Sequence, residues 1–88
     1  MILLHTFNSP EALLKFNHRI NKDDNVLFIE DGVYCCIDNL MEFDCRRLMA
    51  LQQDCDLRGI QPAESVELIG YHDWVQMCTE ADNHLSWY

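Results

Sequence analysis

Five cysteines and four histidines are the side chains of this 88-residue chain best suited to chemistry near neutral pH. Cys35 and Cys36 come first, because they follow Gly32 by three and four residues. With a helix starting just after that glycine, both thiols lie in its first turn, where the helix field favours the thiolate. Glu30 and Asp31 stand just before them and push the thiol pKa the other way. The two effects are of similar size, so spacing alone leaves the sign open. Free cysteines also commonly pack as small apolar residues. As a metal pair the two are poor, since adjacent cysteines lack the two-residue spacer of zinc sites. Cys55 lies between Asp54 and Asp56, which makes it a sluggish nucleophile. Cys78 falls on the apolar stripe of a helix and is expected in the core. Cys45 sits in a connection and is uninformative.

His5, at the end of a first strand, and His72, at the mouth of the last helix, are placed to act as acid, base or hydrogen-bond anchor. Strand-end polar residues are more often simply hydrogen-bonded. No histidine stands at ligand spacing with a cysteine or carboxylate on one helix face, so no metal is expected. Gly32, Gly59 and Gly70 are the only glycines, and they form neither G-x-G-x-x-G nor a P-loop. No nucleotide or other cofactor is expected. No Ser-His-Asp set, nucleophile elbow or paired-carboxylate motif is present, so catalysis by this chain alone is not expected.

The elements that must position these residues alternate. Residues 2–7 read as a first strand. Ser9, Pro10 and Glu11 form a good helix start, and Leu13, Phe16 and Ile20 recur at helical spacing. Residues 21–25 are a polar turn. The run Val26-Leu27-Phe28-Ile29 has the pattern of a strand buried on both faces. A helix over residues 33–40 follows Gly32, then an acidic connection over 41–45. A third strand covers 48–51, a helical turn runs around 54–58, and Gly59 caps it. Residues 66–69 are a fourth strand. In the last helix Trp74, Met77, Cys78 and Ala81 share one face, with Asp73 and His84 suited to the helix dipole. Strand–helix alternation four times over implies an α/β fold with right-handed crossovers. The expected architecture is a small Rossmann-like three-layer sandwich, a four-stranded mainly parallel sheet with helices on both faces. The two aromatics Trp87 and Tyr88 would be wasted on a lone monomer; the alternative reading is that they cover the chain's own sheet edge.

Eighty-eight residues suit one domain, and 49% hydrophobic content exceeds what one small core easily uses, so association with other chains is expected. Fifteen acidic residues against six basic ones give a formal charge of −9, a field that repels phosphate and argues against direct nucleic-acid binding. No run approaches the ~20 apolar residues of a membrane span. An odd number of cysteines without framework spacing, and no recognisable export signal, point to reduced thiols in the cytoplasm.

Several short phrases fall where a strand ends or a helix begins. They are Leu4-His5-Thr6, Glu-Asp-Gly-Val-Tyr at 30–34, Ala-Leu-Gln-Gln-Asp at 50–54 with Leu57-Arg58-Gly59, and Tyr-His-Asp-Trp-Val at 71–75. With Trp87, and in that order, they resemble the TusB/DsrH family, the smallest subunit type of bacterial sulfur-relay complexes. The resemblance implies a DsrE/DsrF/DsrH-like fold and assembly with sister subunits of types C and D as a dimer of trimers. It implies a relay in which persulfide sulfur from a cysteine desulfurase reaches this complex through a carrier. A downstream sulfur carrier then takes it to the tRNA thiolase that makes 2-thiouridine at the wobble position. In sulfur-oxidising bacteria the related complex serves dissimilatory sulfur metabolism. The relay cysteine of the D-type subunit follows the third strand, shortly before an Arg-Gly turn. Counting back from Arg58-Gly59, that place falls on Leu51, and Cys55 comes four residues later. Leucine cannot carry a persulfide, so the resemblance implies a non-catalytic subunit. The alternatives are an active sulfur carrier using Cys35 or Cys36, and a generic adaptor docking through its tail. Tyr34, Trp87 and Tyr88 are the candidate interface residues.

Overall fold

The computed structural model of the chain describes residues 2–37 and 44–88. Its sheet has five parallel strands: β1 (Leu3–Phe7), β2 (Asn25–Phe28), β3 (Arg47–Leu51), β4 (Glu67–Ile69) and β5 (Asn83–Trp87). They lie in the order β4-β3-β2-β1-β5. Helix α1 (Pro10–Phe16) runs into a short 3-10 turn, Asn17–Arg19, and a longer 3-10 segment covers Glu30–Cys36. Helix α2 is Gln52–Leu57 and α3 is Tyr71–Glu80.

Because parallel strands need crossovers of one hand, the order decides which face each connection covers. The first three connections all step the same way, from β1 toward β4. They put α1, the Glu30–Cys36 turn and α2 on one face. There Phe7, Val26, Phe28 and Ala50 pack with Ala12, Leu13, Val33, Cys35, Cys36 and Cys55. The last connection steps back past β1, so α3 lies on the opposite face. Leu4, Leu27, Ile29, Met49, Leu51 and Ile69 pack there with Met77, Trp74 and Cys78. Alternate side chains of β2 thus enter two different cores, which is why the run from Val26 to Ile29 is apolar without a break.

Local chemistry sets the helix ends. Ser9, in extended conformation, accepts the Ala12 N–H on its hydroxyl at 3.2 Å, and Pro10 opens α1. At α3 the Asp73 carboxylate accepts the Gly70 N–H at 3.4 Å. Gly59 takes a φ of +63° after α2.

Three features differ from the sequence reading. The sheet has a fifth strand, β5, paired along its length with β1 from Leu3↔Asn83 to Phe7↔Trp87. His84 therefore belongs to a strand and not to the end of α3. The segment expected as a helix over 33–40 is a 3-10 turn that starts three residues earlier, at Glu30. Residues 38–43, which hold the rest of that expected helix and most of the 41–45 connection, lie outside the described residues.

The early start has a steric cause. Phe7 O accepts the Ile29 N–H at 3.0 Å, and Gly32 N–H bonds back to Ile29 O at 2.8 Å. The turn is thereby pressed onto the end of β1. A Cβ on Gly32 would lie 2.2 Å from Phe7 O, so only glycine fits. Gly32→Ala is expected to lower stability by about 3 kcal/mol, read as a shift of the urea midpoint. A loss below about 0.5 kcal/mol would mean that the turn can back away from β1 freely.

Candidate functional site

In an open parallel sheet the carboxyl ends of the strands, near the point where strand order reverses, are the expected place for a site. Here the reversal falls between β1 and β5. It is filled by the chain itself: Trp87 stacks on Phe16 with ring centroids 4.5 Å apart. Beneath it His5 is fully buried. Trp87 Nε1 donates to His5 Nδ1 at 2.9 Å, and His5 Nε2 lies 2.8 Å from Asp24 Oδ2. An indole N–H can only donate, which assigns the lone pair to Nδ1 and the proton to Nε2. The same Asp24 oxygen accepts the Asn21 N–H at 2.9 Å, and the Asp24 carbonyl accepts the Arg46 N–H. Both ring nitrogens of His5 are thus committed, and none is left to act as acid or base.

A second cluster joins the ends of β2 and β3. Asp54, mostly buried at the start of α2, accepts the Glu30 N–H at 2.8 Å. That bond holds Glu30 at a φ of +50°, a conformation that non-glycine residues seldom adopt. Arg58 donates to Asp31 at 3.0 Å and lies 3.6 Å from Asp54. Its hydrogen bond to Asp31 holds the guanidinium still more firmly protonated. The phrases at 30–34, 50–54 and 57–59 therefore meet in space as a clamp. A neighbouring open depression of about 480 Å³ is lined by Gln53, Asp54, Asp56, Leu57 and Tyr71. Two carboxylates and no free cation make it unwelcoming to phosphate.

Cys35 and Cys36 sit at the carboxyl end of their 3-10 turn, not in its first turn, so no helix field favours their thiolates. Cys35 is 2% exposed and Cys36 0%. Burial, and then the charge of Glu11, pushes Cys35 up to about 11. Burial, with Cys55 and Cys35 close by, pushes Cys36 up to about 12. Cys55 is raised by burial and by its two flanking aspartates against the opposing charge of Arg58. Cys45 is raised by burial, Asp44 and Asp24. The described residues include no group of three His, Cys, Asp or Glu side chains that could hold a metal ion.

The family model described as DsrH like protein matches residues 8–84. This chain belongs to that DsrH-like family. Membership supports a sulfur-relay-related role. Among solved structures the chain is similar to the ychN protein from E. coli, with a TM-score of 0.66 and 15% identity over 97% of each chain. At that identity the likeness speaks for the fold. No curated protein sequence matches. No described helix is long and apolar enough to cross a membrane.

Of the residues expected at an interface, Tyr34 and Tyr88 are exposed, whereas Trp87 is largely occupied by Phe16 and His5. His72 is exposed on the first turn of α3. Asp24 was hidden in what reads as a polar turn, and only its position beside the strand bearing His5 gives it a role. In this DsrH-like chain, Trp87→Phe keeps a ring on Phe16 but leaves His5 Nδ1 buried without a donor. The expected loss is about 1–3 kcal/mol in urea denaturation. For Cys35 and Cys36 the folded pKa lies above the usual 9.0. Their contribution to stability is therefore complete below pH 9 and is lost as pH rises through about 11 and about 12. Unfolding free energy should fall across that window more steeply in the unsubstituted chain than in Cys35→Ala with Cys36→Ala. Equal slopes would contradict the assignment.

Proposed function

We propose that this chain is a non-catalytic subunit of a sulfur-relay complex that passes persulfide sulfur toward 2-thiouridine at the tRNA wobble position. The observation that carries this reading is the end of β3. Leu51 stands where a relay thiol would be needed, and it is 1% exposed against Met49, Ile69 and the α3 side of the core. The adjacent pair Cys35 and Cys36 offers no substitute, because both thiols are enclosed and held protonated. The charge of −9 fits a chain that meets proteins and leaves the polyanionic tRNA to others.

The outer surface supports an assembled state. Leu57, Tyr71, Val75, Leu14 and Tyr88 are all at least half exposed. Large apolar side chains in that number favour contact with further chains. The partners proposed are sister subunits of types C and D in a dimer of trimers, with a downstream sulfur carrier docking on the complex. Co-expression with the sister subunits and native mass spectrometry tests this. Three components in two copies each is the expected mass. A lone monomer or a homo-oligomer of this chain would overturn the reading.

A further inference from the structure

On the face that carries α3, side chains from three elements meet in a line. Cys78 lies in the third turn of α3, His84 in β5 and Thr6 in β1. His84 Nε2 is 2.8 Å from Thr6 Oγ1, and His84 Nδ1 is 3.9 Å from Cys78 Sγ. Thr6 is buried, Cys78 half-buried and His84 exposed. The imidazole is therefore anchored on its inner nitrogen, while the other nitrogen faces a thiol near the surface.

A hydroxyl can accept the Nε2–H, which leaves the Nδ1 lone pair toward the thiol. Once the thiol proton moves to Nδ1, both N–H groups of the imidazolium are paired, one to Thr6 and one to the thiolate. Nucleophile, base and orienting group stand in the order that covalent chemistry uses. The other thiols lack this. Cys35, Cys36 and Cys55 are buried, and Cys45 is opposed by Asp44 and Asp24. Burial alone raises Cys78, with no carboxylate acting against its thiolate. Among the described residues no other thiol is hydrogen-bonded to a histidine.

We propose that Cys78 accepts sulfane sulfur from a persulfide donor, with His84 as its base and Thr6 positioning His84. The class of donor rests on the sulfur-relay reading above; the thiol–imidazole geometry does not. In the step, Cys78 gives its proton to His84 Nδ1 and its sulfur attacks the outer sulfur of a persulfide R–S–SH. A new S–S bond forms at Cys78 Sγ, and the S–S bond of the donor breaks. The donor leaves as a thiolate and takes the proton back from His84. The products are a Cys78 persulfide and a thiol, so no oxidant or reductant is required. This goes beyond the preceding reading: the chain has leucine where a relay thiol would stand at the end of β3, and it holds sulfur instead on a thiol of α3.

The test treats the purified chain with glutathione persulfide at neutral pH, alkylates it and maps the added sulfur by mass spectrometry. Sulfur is expected on Cys78 ahead of the other four cysteines. His84→Gln should slow loading roughly tenfold or more, Thr6→Val should slow it too, and Thr6→Ser should restore it. Iodoacetamide on the unsubstituted chain supplies a measurement that needs no variant: Cys78 should be the first thiol alkylated. Sulfur on other cysteines in place of Cys78, or loading unchanged in His84→Gln, overturns the proposal. Failure to assemble with sister subunits would sink the preceding reading and leave the alkylation order standing. Normal assembly without sulfur at Cys78 would do the reverse.

Discussion

An imidazole with no exposure to water must find partners for both ring nitrogens inside the protein, since each one left bare carries a desolvation cost. His5 finds them on opposite sides of β1. Asp24 stands at the approach to β2, and Trp87 at the far end of β5. One side chain of β1 therefore ties both neighbouring strands in place, and it does so with directional bonds that apolar packing cannot supply. The aromatic stack of Trp87 on Phe16 closes the same corner. Without that arrangement β5 would keep little beyond its backbone ladder to β1 and the His84–Thr6 bond, because most of its side chains face solvent.

The phrases that resemble a known family owe their chemistry to this kind of construction. His5 bridges strands, and Thr6 anchors His84. Gly32 permits the turn to touch β1, Asp54 holds the backbone of Glu30, and Arg58 braces Asp31. Asp73 caps α3. Polar residues spent in this way are tied to the fold and not to a substrate. The sulfur chemistry of a chain built like this depends on where its thiols are left. Four of the five are walled in or opposed by carboxylates, and the remaining one lies on the other face of the sheet.

Much of the fold was legible because its signals are local. The unbroken run from Val26 to Ile29, the Ser9-Pro10 start of α1 and the apolar stripe of α3 each read directly as the element they form. What escaped depends on contacts distant in sequence. The turn at Glu30 begins early only because Phe7 O lies against Gly32. Strand β5 contains no β-branched residue, and its stability comes from pairing with residues some eighty positions earlier. The alternation His84-Leu85-Ser86-Trp87 was the one sign of it. The candidate site was hidden for the same reason. The pKa of Cys35 and Cys36 turns on burial, which spacing does not report. The neighbour of Cys78 belongs to the strand that the reading missed.

The pairing of β1 with β5 also imposes an order in time. Leu3 is synthesised eighty positions ahead of its partner Asn83. At ~5–20 residues per second that interval is roughly 4 to 16 s. Until it ends, β1 has an open edge and His5 lacks its indole. During synthesis the growing chain thus holds an unsatisfied polar group on β1, beside the place that β5 will take. That favours a loose, reversible collapse over a prematurely locked one, because β5 is what closes the open side of β1.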